Sequence, residues 1–324
     1  MNDQAKQRYE EAEAKLWAHY GGEPKSYFLQ LEKPRMRLRV QEVGEGPPLL
    51  FLHGTPNAGA TWAPLALNLT DYRCILIDLP GCGLSEPFEY ETVDVAGMVV
   101  EMMEAIVSAL EIEKVSIVAS SSGSAFAYWY ALANPQAVAR IVHLGAPAQV
   151  EGAPVDLFTR LMMVPYLNRL LLRVMPTSID GVKNIYSQIG HGPAIEDGRI
   201  PEAYLDWTCH LLADTETMQH TMKMGELVLN WRGYRPEFMI SVAELSRLSQ
   251  PMQYIWSEND SFGGAMLAKQ TAAASPNSEL HLLPGSGHLP WLDAQGEVLD
   301  LMRDFLRPVH TGQEDENQLL VNLI

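Results

Sequence analysis

Short, largely apolar runs recur along this 324-residue chain and alternate with longer amphipathic stretches. Leu49-Leu50-Phe51-Leu52 is one such run, and residues 73–77, 115–118, 138–144 and 252–256 repeat it. A strand that is apolar at nearly every position, not at every second one, is buried on both faces, as in a parallel sheet. Helical patterns lie between the runs. Residues 93–110 place Met98, Met102, Ile106 and Leu110 on one face. Residues 3–19 alternate charge with Ala, Leu16 and Trp17, and Gly21-Gly22-Glu23-Pro24 ends this amphipathic leader helix. Two further strands are predicted at 26–31 and 36–43. Strands alternating with helices predict an α/β domain with a mainly parallel central sheet flanked by helices.

The alternation stops near residue 148. From there to about 246 the patterns are helical and rich in Met, Leu, Tyr and Trp, after which Gln250-Pro251 opens a new buried strand. The expected organisation is a leader helix over 1–24, a core over 25–147, an inserted helical cap over 148–246, the rest of the core over 247–310, and a tail over 311–324. The tail ends Leu319-Leu320-Val321-Asn322-Leu323-Ile324, which either packs on the body or on a second subunit, or frays. A homo-oligomer is left open.

Charge narrows the partners. With 23 Lys and Arg against 40 Asp and Glu the net charge is −17. This argues against nucleic acid or an anionic membrane surface, though not against a small anionic substrate. Cys74, Cys82 and Cys209 are odd in number and widely spaced, suiting neither a disulfide framework nor a metal site. No run approaches 18 apolar residues, so no membrane span is expected. The first residues lack the basic-then-apolar pattern of a secretory signal, and a reducing cytoplasm is the expected location.

The candidate chemistry begins at Val115-Ser116-Ile117-Val118-Ala119-Ser120-Ser121-Ser122-Gly123-Ser124. A strand pattern runs directly into a helical one. Such a turn needs small residues two before and two after the exposed side chain, and Ala119 and Gly123 meet that need around Ser121. A serine hydroxyl is a weak nucleophile unless a base takes its proton and an acid orients the base. Asp260, in the polar turn after 252–256, and His288, in Leu283-Pro284-Gly285-Ser286-Gly287-His288, follow in that order. Glu258 is the alternative acid. Each follows a strand, so all three project from one edge of the sheet. Backbone N–H groups to bind an oxyanion are expected from Ser122 and, in His53-Gly54-Thr55-Pro56-Asn57, from Thr55, since Pro56 has none.

Four motifs in order carry a resemblance: His53-Gly54-Thr55-Pro56, Asp78-Leu79-Pro80-Gly81-Cys82-Gly83-Leu84-Ser85, Ala119-Ser120-Ser121-Ser122-Gly123, and Gly285-Ser286-Gly287-His288 preceded by Asp260. Over about 45–307 the chain resembles the α/β-hydrolase fold superfamily, in its single-chain form with a helical cap. The family pattern is Gly-x-Ser-x-Gly-Gly, and this chain departs from it with Ala119 and Ser124. The resemblance implies a triad of Ser121, His288 and Asp260, a structural role for Asp78–Ser85, and no cofactor or metal. Serine at the elbow sets the chain apart from members that use aspartate to dehalogenate alkyl halides or open epoxides. The implied substrate is a small or medium, largely apolar ester, lactone or thioester. Carbon–carbon hydrolysis, cofactor-free perhydrolysis, aminopeptidase action and a ligand-binding receptor on the same scaffold are the alternatives. Asn57, Trp62, Ser120, Trp207 and Trp291 are candidate substrate contacts. Met162, Met163, Tyr166, Tyr204, Met218, Met222, Met224 and Trp231 of the cap suit either an apolar pocket or core. His53 is expected to shape its loop and Asp293 to cap or solvate the last helix. His191, His210 and His220 lack the tight pairing of a metal site.

Overall fold

The computed structural model describes residues 1–90, 94–155, 159–160 and 178–307. The tail over 311–324, and Met162, Met163 and Tyr166 of the expected cap, lie outside the described residues. The strands are β1 (Lys25–Glu32), β2 (Arg35–Val43), β3 (Pro48–Leu52), β4 (Arg73–Ile77), β5 (Val115–Ala119), β6 (Val138–Leu144), a two-residue ladder of β7 (Leu229–Asn230) with β8 (Gly233–Tyr234), then β9 (Met252–Ser257) and β10 (Ser278–Leu283). The main sheet has the order β1-β2-β4-β3-β5-β6-β9-β10. Only β1 with β2 and β2 with β4 pair antiparallel. This is the mainly parallel sheet of an α/β-hydrolase fold.

Strand order reverses at β3, with β4 on one side and β5 on the other. The loops leaving β3 and β5 therefore part at the carboxyl edge and open a crevice there. Period-2 alternation divides β3 between two cores. Leu50 and Leu52 pack with Met102 and Ile106 on one face, and Leu49 and Phe51 pack with Leu16, Trp17 and Met302 on the other. The first face is covered by helices that include Val95–Ala109 and Ser122–Ala133. The second is covered by Asp3–His19 and Gln295–Leu306.

The segment between β6 and β9 departs from the expectation in one way. It is not purely helical, because β7 pairs with β8 and Val150 bridges Ile240. Its described side chains also join the core. Val182, Tyr186, Tyr204, Trp207 and Leu211 enter the same apolar cluster as Leu16 and Trp17. The leader helix grips this segment from outside, with Arg8 paired to Asp214 and Lys15 to Asp206. Among the described residues no helix is long and apolar enough to cross a membrane. All three cysteines are buried and free.

A buried ionic network ties the leader helix to the sheet. The Arg39 guanidinium on β2 makes a two-pronged contact with Glu13, Nη1 lying 2.7 Å from Oε1. Tyr9 and Gln41 also donate to that carboxylate, and Asp78 Oδ2 lies 3.8 Å from Nη1. Burial pulls the guanidinium down from its ordinary value, but Glu13 and Asp78 more than offset this and raise it. Removing one member of such a pair strands a charge. Glu13→Ala is therefore expected to lower the unfolding free energy in urea by about 3–5 kcal/mol, and Glu13→Leu with Arg39→Met to recover most of that loss.

Buried histidines set an acid limit, His143 and His53 among them. His143 on β6 bonds Ser124 Oγ at 3.0 Å through Nδ1 and stacks on Tyr254. Burial lowers it from 6.5 to about 3, and burial lowers His53 from 6.5 to about 4 against the opposing pull of the Gly54 carbonyl. Both are neutral in the fold, while the unfolded chain takes up their protons. Their stabilisation is whole above pH 6.5 and is lost as the pH falls from there towards 4. Denaturation across that window is expected to show stability falling with pH by up to about 1.4 kcal/mol per unit for each group. In His143→Phe the slope should be shallower by one such share.

Candidate active site

Ser121 is the joint between β5 and the Ser122–Ala133 helix. Its backbone has φ 50° and ψ −122°, a conformation that side-chain-bearing residues rarely adopt. The strain is imposed from both sides. Ser120 N–H still bonds Leu52 O on β3, while Gly123 and Ser124 N–H already close on the carbonyls of Ser120 and Ser121. The chain must turn within one residue. A Cβ on Gly123 would lie 2.3 Å from Leu52 O, so that position admits no side chain without backbone movement. Gly54 closes over the elbow from above, where a Cβ would come within 2.7 Å of Ser121 Cβ. Ser121 itself stays partly exposed.

The loop after β3 is fixed by its own side chains. His53 Nε2 accepts the Leu79 N–H at 3.0 Å, which leaves the Nδ1 proton to donate to Gly54 O at 2.6 Å. Asn57 accepts from Ala58 N–H and donates to Thr61 Oγ1, whose partner in turn is Tyr204 OH at 2.6 Å. Asp78 accepts from Gly59 and Leu84 N–H, which ties the Asp78–Ser85 loop to the same corner. Thr55 is left facing Ser122, their hydroxyl oxygens 3.3 Å apart. Among the described residues neither Thr55 N–H nor Ser122 N–H donates to a protein acceptor. One donor at a helix start and one on the facing loop, beside a serine hydroxyl, suit a developing negative charge.

His288 Nδ1 lies 3.0 and 2.9 Å from the two oxygens of Asp260. Asp260 also accepts the Ala146 and Phe262 N–H groups, each at 2.9 Å. Burial pushes its carboxyl up, but His288 and these hydrogen bonds outweigh it and hold the carboxyl below its ordinary value. Glu258, the alternative acid, is exposed. The Phe262 ring packs on the His288 imidazole, with centroids 4.4 Å apart. One turn after β6 serves every part. Ala148 N–H bonds Ser121 O, Ala146 N–H bonds Asp260, and Gly145 lies against the His288 carbonyl. Among the described residues no hydrogen bond joins Ser121 Oγ to His288 Nε2, a contact that in such sites tightens when substrate binds.

The other candidates fall elsewhere. Trp62, Trp207 and Trp291 are wholly buried in the apolar core, where Trp62 packs on Trp291 at 4.5 Å. Ser120 is wholly buried, and its Oγ has no partner among the described residues. Asn57 spends both ends of its amide on the loop. Tyr204, Met218 and Met222 are buried, whereas Trp231 is 75% exposed. Among the described residues no group of three His, Cys, Asp or Glu side chains could hold a metal ion. Sequence reasoning missed the contact of Ile189 and His191 with the His288 loop, because nothing local places residues 187–191 there.

A profile of the α/β-hydrolase fold matches residues 47–182. An uncharacterised Mycobacterium tuberculosis protein is 27% identical over 310 residues, covering 91% of this chain and 85% of that protein. The 2-hydroxy-6-oxononadienedioate/2-hydroxy-6-oxononatrienedioate hydrolase 2 of Pseudomonas putida is 26% identical over 278 residues, covering 84% of this chain and 92% of that enzyme. Carboxylesterase CesB of Bacillus subtilis shares the fold, with a TM-score of 0.71 at 16% identity over 94% of this chain and 98% of that one. By sheet order, elbow geometry and these matches, the chain has the α/β-hydrolase fold, and the characterised proteins it resembles are hydrolases.

Proposed function

We propose that this protein is a serine hydrolase that cleaves a small or medium, largely apolar ester, lactone or thioester through Ser121, His288 and Asp260. The observation that carries the reading is the 145–148 turn, which bonds both the elbow serine and the acid that holds His288. Ser121 Oγ attacks the carbonyl carbon while its proton passes to His288 Nε2. Asp260 keeps the other proton on Nδ1 and stabilises the imidazolium. The carbonyl oxygen, now negative, lies between the N–H groups of Thr55 and Ser122, worth about 3–4 kcal/mol each on the usual mutational scale. His288 then gives its proton to the leaving oxygen or sulfur, and the bond breaks to leave an acyl-Ser121. Water, deprotonated by His288, releases the acid and restores the serine.

A second reading, carbon–carbon hydrolysis of a vinylogous diketone, is favoured by the activity named for the Pseudomonas putida relative. Both readings need the same nucleophile, so the test has two stages. Intact-mass analysis after a fluorophosphonate probe should show one adduct on the wild type, Ser120→Ala and Ser122→Ala, and none on Ser121→Ala. Turnover of p-nitrophenyl esters from C2 to C12 is then compared with that of a 2-hydroxy-6-oxo-dienoate, followed by loss of its absorbance. Ser121→Ala should lower kcat/KM at least about a thousandfold on whichever is cleaved. An adduct that survives in Ser121→Ala sinks the triad. Turnover of the dienoate alone moves the assignment to carbon–carbon cleavage.

A further inference from the structure

The side chain of His288 is held by Asp260, but its backbone is held by something else. The amides of residues 287, 288 and 289 are each taken by a different acceptor. Gly287 N–H donates to Asp293 Oδ2 at 2.9 Å, His288 N–H to Ile189 O at 2.9 Å, and Leu289 N–H to His191 Nε2 at 3.2 Å. His191 Nε2 is therefore an acceptor, the proton sits on Nδ1, and Nδ1 donates to Asp293 Oδ2 at 2.7 Å. In this second histidine–carboxylate pair the side chains are 0% and 2% exposed, against 6% and 0% in the first. It spans 102 residues, from the π-type turn Ser187–His191 of the inserted segment to the helix that follows His288. Contact is close, since a Cβ on Gly287 would lie 2.6 Å from His191 Nδ1.

The arrangement is costly. Asp293 Oδ1 is buried with no partner among the described residues, while Oδ2 takes two hydrogen bonds. An unsatisfied buried carboxylate oxygen opposes folding. An apolar pair of the same volume would join the two segments at less cost but would leave the 287 and 289 amides without acceptors.

We propose that His191 and Asp293 are positioning residues for the reaction. Together with Ile189 O they fix the backbone at His288, and so set the approach of its imidazole to Ser121. The inference rests on the triad reading. A base displaced by about 1 Å is expected to cost up to about a hundredfold in rate, with little effect on binding because neither residue contacts substrate.

The test uses the full chain and the fluorophosphonate probe, whose reaction depends on His288 activating Ser121. Saturation kinetics separate the limiting labelling rate from the half-saturating probe concentration. In His191→Ala and Asp293→Asn the limiting rate should fall about 10- to 100-fold, with half-saturation within twofold of wild type. His191→Gln should recover part of the loss, because its carboxamide repeats the donor–carbon–acceptor spacing of the imidazole. The downfield proton resonance shared by His288 and Asp260, identified by its loss in Asp260→Asn, should broaden in His191→Ala and return in His191→Gln. Should His191→Ala fail to fold, Asp293→Asn and His191→Gln decide. An unchanged limiting rate in these variants, or an effect confined to half-saturation, overturns the inference and leaves the triad intact. Wild type that does not label on Ser121 overturns both.

Discussion

Everything at the crevice depends on a serine being held where its backbone would not choose to be. A positive φ on a residue with a side chain persists only when the surroundings over-determine it. Here the sheet bond from Ser120 to Leu52 fixes the entry and the helix bonds on the Ser120 and Ser121 carbonyls fix the exit. The carbonyls of Leu52 and His53 press against the Gly123 backbone, so the turn cannot relax that way. The reward for this strain is geometric. The hydroxyl stands clear of both elements, the Ser122 N–H is exposed at a helix start, and the Thr55 loop is brought across from β3.

The elbow fixes only one side of the reaction, and the inserted segment braces the rest. Tyr204 reaches the loop after β3 through Thr61, which also accepts from Asn57. Ile189 and His191 reach the loop that carries His288. Both contacts start from helices that share an apolar core with the leader helix, which is itself anchored to β2 by the Glu13–Arg39 pair. The described part of the insertion is thus integral to the fold in this region, and the leader helix shares its packed core. Such second supports are what hold reacting groups to the tolerances that acid–base catalysis needs.

Much of this was legible in the chain. The strands at 73–77 and 138–144 fall where the apolar runs put them, and the leader helix over 3–19 coincides with Asp3–His19. Those signals are local, since period, capping and turn residues are written in neighbouring positions. The order of serine, acid and histidine was legible for the same reason, each lying just after a strand. What was not legible depends on contacts distant in sequence. Trp62, Trp207 and Trp291 carry the composition of a pocket, yet they face a core whose far side is supplied by residues 3–19 and 295–306. His191 gives no sign of its partner 102 residues away. Ser124, conspicuous as a departure from Gly, makes sense only once His143 is seen beside it on β6.

The crevice imposes the same demand on an ester and on an activated carbon–carbon bond, up to the tetrahedral intermediate. On the proposed mechanism a carbonyl carbon reaches Ser121 with its oxygen between Thr55 and Ser122. The two chemistries part afterwards. An ester releases an alkoxide, which a single proton from His288 neutralises on oxygen. A carbon–carbon bond releases a carbanion, which departs only when the substrate spreads the charge over a conjugated carbonyl and the proton arrives on carbon. On the proposed mechanism, reaction type is selected not by the elbow but by what surrounds the leaving portion. A residue there acts by where tertiary packing puts it, and not by its spacing from a neighbour. This is why the four motifs bear on the fold and on the candidate nucleophile, and not on the leaving group.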